Sequence, residues 1–156
     1  MMTGLKSLSY TIIIGCGRLG SGVAGELSDQ GQDVLVVDCD PQAFRKLSPS
    51  FGGLTISGDA TDLNVLGDMD MARASAVIIV TDNDNVNMMV AQLVRTMAPR
   101  ADVIARLRNP DCACVFEAMD IHTICPAQLS AREISSFLHM DTMDAQPRKT
   151  AGKAVI

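Results

Sequence analysis

Tryptophan is absent from this chain, tyrosine occurs once and phenylalanine four times, so there are few rings on which nucleobases could stack. An excess of basic residues is missing as well: 13 Lys and Arg stand against 18 Asp and Glu, for a formal net charge of -5. Nucleic acid is therefore not an expected partner, because binding it calls for a basic surface or an aromatic platform. Long apolar runs are lacking too. Tyr10 to Ile14 and Ala76 to Val80 fall far short of the ~20 residues that cross a bilayer, and the N-terminus carries no signal-like hydrophobic segment. The reading is a cytoplasmic protein with no direct membrane insertion. Cysteine is modest in number and odd, at five. Cys16, Cys39 and Cys125 lie beside apolar segments, where a reduced thiol behaves as a small hydrophobe, so disulfides are not expected. Cys112 and Cys114 form a C-x-C without a second pair at ligand spacing, which predicts no zinc site. Neither His122 nor His139 has a serine, cysteine or carboxylate spaced to form a catalytic constellation, and no catalytic residue is predicted.

What is present is the composition of an ordinary globular domain, 47% hydrophobic and 20% charged in 156 residues, enough to bury one core. Six short β-branched runs alternate with helical patterns: Thr11 to Ile14, Asp33 to Asp38, Leu54 to Ser57, Ala76 to Thr81, Asp102 to Leu107 and Ile121 to Cys125. Such alternation predicts parallel strands joined by crossover helices. The runs Ile12-Ile13-Ile14 and Val34-Leu35-Val36-Val37 are apolar at consecutive positions, as strands covered on both faces must be. The predicted fold is α/β, a single Rossmann-type, doubly wound and mainly parallel six-stranded sheet with helices on both faces. The clearest helix spans Asp84 to Ala98, where Val86, Met89, Val90, Leu93, Val94 and Met97 follow helical spacing. Asn109-Pro110 reads as a helix start, a capping residue followed by proline in the first turn. Residues 1–8 read as an extension, 9–140 as the domain, and 141–156 as a tail that is disordered or ordered by a partner, since apolar periodicity ends near Met140.

Chemistry concentrates at the ends of the apolar runs. Gly15-Cys16-Gly17-Arg18-Leu19-Gly20 follows the first strand and opens a helix, the context in which G-x-G-x-x-G binds a dinucleotide. In that motif the first glycine makes the tight turn, the second admits a pyrophosphate to the backbone, and the third lets helix and strand pack closely. Free N–H groups and the dipole at the helix start favour an anion. Asp38 ends the second strand, where a carboxylate accepts hydrogen bonds from ribose hydroxyls and repels a 2′-phosphate; Cys39 follows it. Gly58-Asp59-Ala60-Thr61 follows the third strand at the same sheet edge. Asp59 could meet an adenine amino group or could simply cap the next helix. Thr81 and Asp82 follow the fourth strand, as pocket lining or as plain loop and cap. Arg106 interrupts the fifth apolar run near its C-terminal end, and Arg18 sits inside the glycine loop; both could donate to phosphate oxygens, although a solvated or salt-bridged Arg106 reads equally well.

Taken in order, Ile-Ile-Gly-Cys-Gly-Arg-Leu-Gly, Val-Val-Asp-Cys-Asp at 36–40, Gly-Asp-Ala-Thr at 58–61 and Ile-Ala-Arg-Leu-Arg-Asn-Pro at 104–110 resemble the N-terminal nucleotide-binding domain of the Trk/Ktr potassium-transport regulators, the KTN or RCK-N domain. The resemblance covers roughly residues 9–140. It implies a nucleotide-sensing subunit, cytoplasmic and peripheral to the membrane, that docks on a membrane potassium channel or transporter, assembles as a dimer or ring, and responds to ATP, ADP, AMP or NAD(H). It also implies that Arg18 and Arg106 read phosphates, that Asp38 holds the ribose, and that Asp59 lies near adenine. Two departures stand out. Many relatives carry Pro-Glu after the sixth strand, the glutamate helping to bind a divalent cation, whereas here Pro126 is followed by Ala127; that ligand is missing. Many also carry a second C-terminal ligand-binding domain, against which this chain reads as a short form.

Three functional classes follow. The leading one is a regulator that shifts between oligomer arrangements on nucleotide exchange and pulls on a membrane partner, with no chemistry on the nucleotide. A rival is a small nicotinamide-dependent oxidoreductase, which would need a substrate pocket and an acid–base group beside the nicotinamide. A third is an adenine-nucleotide module serving another partner. The helix carrying Leu129, Ile134, Phe137 and Leu138 offers an apolar face to a neighbour or to its own core.

Overall fold

The computed structural model describes residues 9–139, so the predicted extension and tail lie outside the described residues. Two compact units divide at Cys125 and Pro126. The first holds β1 (Tyr10–Ile14), α1 (Arg18–Asp29), β2 (Asp33–Asp38), β3 (Leu54–Ser57), α2 (Leu63–Gly67), β4 (Ala76–Ile79), α3 (Asp84–Met97), β5 (Asp102–Arg106), α4 (Ala113–Glu117) and β6 (His122–Ile124). The second contains α5 (Pro126–His139), on which Leu129, Ile134 and Leu138 are exposed.

The six strands form one sheet in the order β3-β2-β1-β4-β5-β6, and every pairing is parallel. Consecutive strands can lie parallel only if each connection crosses back over the sheet, as the sequence alternation required. Along β1 the side chains alternate between two cores. Ile12 and Ile14 join Leu35, Val37, Val77, Ile79, Val90, Val94 and Phe116 in one cluster; Ile13 joins Val34, Val36, Val80 and Ala24 of α1 in the other. Ile12, Ile13 and Ile14 are all essentially inaccessible to solvent, which is why this run has no polar alternation. The doubly wound fold read from the sequence is the fold observed.

α3 is capped by Asn83, whose side chain accepts from the N–H groups of Asn85 and Val86. Its buried seam differs from the one that apolar spacing predicts. Asn87, Val90, Ala91 and Val94 are fully buried, Val86, Leu93 and Met97 are only partly so, and Met89 is exposed. The helix is rotated toward its small and polar residues because Asn87 finds hydrogen-bond partners inside, so burial does not leave its amide unpaired.

Candidate functional site

The strand order reverses between β1 and β4, the neighbours from which the chain winds outward in opposite directions. Open α/β sheets bind ligands at such a switch point, outside the carboxyl ends of the strands. Here β1 and β2 are tied just beyond their ends by the Gly15 N–H donating to Val37 O at 2.8 Å, and β1 and β4 by the Val80 N–H donating to Ile14 O at 2.8 Å. Above these ties lies a crevice of about 440 Å³.

The three glycines of the loop have different reasons to be glycine. Gly15 has φ +105°, and a Cβ there would stand 2.8 Å from Thr81 N; only glycine adopts this turn without strain or collision. Gly20, in the first turn of α1, lies so close to the loop that a Cβ would collide with the carbonyl oxygen of Gly15. Gly17 is under neither constraint. Its backbone is extended, at φ -79° and ψ -165°, and a Cβ would meet nothing within 4 Å. Gly17 is exposed and is one of the residues that line the crevice. α1 has no side-chain cap and no acidic residue in its first turn, so its leading N–H groups stay available to an anion.

Asp38 closes the other side of the loop. One carboxylate oxygen accepts from the Cys16 N–H at 2.7 Å and the other from the Asp40 N–H at 2.9 Å. Each oxygen retains acceptor capacity for a further donor. The Cys16 side chain points away and donates to Ala43 O at 3.5 Å; burial, and after it the Asp38 charge, push its thiol above the ordinary value. Asp59 accepts from both the N–H and the hydroxyl of Thr61, at 2.9 and 2.7 Å, and these bonds, the backbone one first, hold its carboxyl below the ordinary range. The helix-cap alternative for Asp59 does not apply, since α2 begins at Leu63 with Asp62 as its cap.

Of the thirteen residues singled out from the sequence, the fold brings Gly15, Cys16, Gly17, Asp38, Cys39, Asp59, Ala60, Thr81, Asp82 and Arg106 around this one crevice. Arg18, Leu19 and Gly20 are not among its lining residues. Arg18 is exposed on the first turn of α1, Leu19 packs against the second core cluster, and Gly20 is buried against the loop. The crevice adds Asp40, Ala43, Lys46, Gly58, Asn83 and Val86. Asp40 and Lys46 come from the turn after β2, where Asp40 caps a 3₁₀ helix, Pro41–Lys46, by accepting from the Gln42 N–H. An Asp-Pro pair directly after a strand is a readable signal for that turn, and it could have placed both residues at the sheet edge.

Arg106 is the most telling member of the set. Its Nε is buried and, among the described residues, has no hydrogen-bond partner. A guanidinium nitrogen left unpaired out of water is costly, and the side chain carrying it lines the crevice. An anionic oxygen bound there would supply the missing acceptor, so the donor set fits a phosphate-bearing ligand. Four carboxylates, those of Asp38, Asp40, Asp59 and Asp82, and the cations Lys46 and Arg106 share the lining, as suits a ligand with a hydroxyl-rich end and an anionic end. Among the described residues no group of His, Cys, Asp or Glu is placed to hold a metal ion, and no helix is long and apolar enough to cross a membrane.

The TrkA-N domain model matches residues 11–126. The Trk system potassium uptake protein TrkA of Streptomyces coelicolor is 35% identical over 125 residues, which cover 80% of this chain and 56% of the relative. A TrkA homolog of Pyrococcus abyssi is 34% identical over 108 residues, 69% of this chain and 48% of the relative. The chain thus spans about half the length of these relatives. Solved structures share the fold at lower identity. The Kef CTD of Shewanella denitrificans in its AMP-bound form superposes with a TM-score of 0.73 at 20% identity, covering 88% of this chain and 84% of that one. The GsuK channel bound to NAD gives 0.64 at 19%, covering 78% and 22%, and GsuK bound to ADP gives 0.69 at 16%, covering 97% and 47%. A family match across both cores and every strand end that lines the crevice, joined to relatives above 30% identity, leads to one conclusion: the chain belongs to the TrkA-N domain family.

Proposed function

We propose that this domain binds an adenine nucleotide or NAD(H) in the crevice at the β1/β4 switch point, and that the bound nucleotide regulates a membrane potassium channel or transporter. The observation that carries the nucleotide reading is the pairing of an unobstructed Gly17 with a buried, unpartnered Arg106 Nε on the same crevice. Protein packing explains Gly15 and Gly20, but it leaves both Gly17 and the orphaned nitrogen without a reason. A diphosphate lying over Gly17 supplies one reason for both. Asp38 then takes the ribose hydroxyls, and Asp59 faces the base. The AMP-, NAD- and ADP-bound forms of proteins with this fold support the ligand class, and the potassium-uptake names of the relatives support the partner.

Regulation here needs binding and no turnover. A nucleotide moves a partner only by the difference between its affinities for two arrangements of the assembly, so we place this chain in a homo-oligomer, a dimer or ring of dimers, seated on the transporter's cytoplasmic side. Calorimetry with AMP, ADP, ATP, NAD⁺ and NADH tests the reading. At least one should bind, and Gly17→Val and Asp38→Ala should each weaken it at least about tenfold, a loss of ~1.4 kcal/mol. Gly17→Val is the cleaner variant, because Asp38→Ala also releases two backbone N–H groups. Unchanged affinity in both variants would sink the assignment.

A further inference from the structure

We propose that Asn87, a residue on α3 facing away from solvent, is a positioning residue that sets Arg106 for the anionic part of the ligand; this rests on the nucleotide reading given above. Asn87 is fully buried, and Thr11 is the only other buried polar or charged residue among those described. It occupies the place in the α3 seam where Val90, Ala91 and Val94 continue the apolar stripe. Its amide uses its whole bonding capacity on two strand ends. Oδ1 accepts from the Thr81 N–H at 3.1 Å and the Thr81 hydroxyl at 2.6 Å, while Nδ2 donates to Thr81 O at 3.1 Å and Arg106 O at 2.9 Å.

These bonds stand where the sheet stops. The β4–β5 ladder ends at the pair Ile79 and Ala105, so beyond it Thr81 and Arg106 are joined through the Asn87 side chain. Its carboxamide substitutes for the missing rungs. The neighbouring Asp84 fixes the next stretch of chain, accepting from the Arg108 N–H at 2.9 Å and the Asn109 N–H at 3.1 Å. Arg106 is thereby held on both its own carbonyl and the residues that follow it, with its Nε buried and, among the described residues, unpartnered on a side chain that lines the crevice. A guanidinium kept in one place before the anion arrives loses less freedom on binding. Because Asn87 does not line the crevice, its influence on a ligand must pass through the residues it holds.

That route is testable by a double-mutant cycle on the full chain with ADP as probe and adenosine as the control lacking phosphate. Asn87→Asp replaces two donors by acceptors that face the carbonyls of Thr81 and Arg106, and Asn87→Ser is too short to bridge the strand ends, which gives a milder second variant. Each should lower ADP affinity roughly tenfold while adenosine affinity changes less than about twofold, and in an Arg106→Ala background each should add little further loss, the non-additivity of residues acting as one unit. A variant that merely loosens the fold would weaken both ligands alike and additively. Equal losses for ADP and adenosine, full additivity with Arg106→Ala, or wild-type ADP affinity in the variants would each overturn the role of Asn87. If the wild-type chain bound no adenine nucleotide, the nucleotide reading itself would fall, and this inference with it.

Discussion

Three glycines that look equivalent in the loop carry separate constraints, two imposed by the protein's own backbone and one by open space. The distinction predicts opposite outcomes for the same methyl group. Gly20→Ala drives a Cβ into the carbonyl of Gly15, on a rigid turn with no flexible side chain to yield, and should destabilise the domain by about 3 kcal/mol or more, in the upper range of overpacking. Gly17→Ala should change stability by less than about 1 kcal/mol, because the extended backbone accepts any residue and the added methyl meets nothing. Urea denaturation of both proteins decides it, and comparable losses would show that the loop is not built as described. Much of this site was legible as residue types, since G-x-G-x-x-G and the terminal Asp38 are recognisable from order alone. The exposed placement of Arg18 was not. Whether a side chain at the first helical turn faces the ligand or the solvent depends on how the helix is rolled, and the motif leaves that open.

At the level of elements, α3 does more than pack. Its first turn anchors the loop after β5 through the three N–H contacts from Arg108 and Asn109 to Asp84, while Asn83 caps the helix itself. Asp84→Ala should therefore free the amides of Arg108 and Asn109, raising their hydrogen-exchange rates, and should lower global stability by about 1–2 kcal/mol, the magnitude of a lost charge-assisted bond. Protection at those two amides unchanged from wild type would contradict this. Apolar spacing located α3 and both its ends to within a residue, yet its stripe assigned Met89 inward and passed over Asn87. Hydrophobic periodicity has no means of marking a buried polar residue, whose place is fixed by partners on distant strands. The strand ends show a similar limit. Apolar composition carries β4 on to Thr81 and β5 to Leu107, but the strands stop at Ile79 and Arg106. After one further bond each, from Val80 N–H to Ile14 O and from Leu107 N–H to Ile124 O, the next N–H groups turn to the side chains of Asn87 and Asp84.

For the molecule as a whole, two cores on opposite faces of one sheet hold the crevice rim, so a ligand bound at the rim is coupled to global stability. A nucleotide that binds only the folded state stabilises it by RT ln(1 + [L]/Kd). At a concentration of 100 Kd the gain should be ~2.7 kcal/mol, read as a rise in melting temperature of several degrees. NAD⁺ should stabilise more than NADP⁺, since the Asp38 carboxylate repels a 2′-phosphate. Equal shifts from the two would show that Asp38 does not face the ribose.

The order of apolar runs, the glycine spacing and the acid closing the second run were enough to predict a doubly wound parallel sheet with a glycine-rich turn after its first strand, because helix and strand periods and backbone sterics are local properties. Only the tertiary structure decided which glycine is free, that the Nε of Arg106 lies buried with no hydrogen-bond partner among the described residues, and that Asn87 joins two strand ends. Those facts arise where segments far apart in sequence are brought within hydrogen-bonding distance, and no local pattern encodes which groups will meet there.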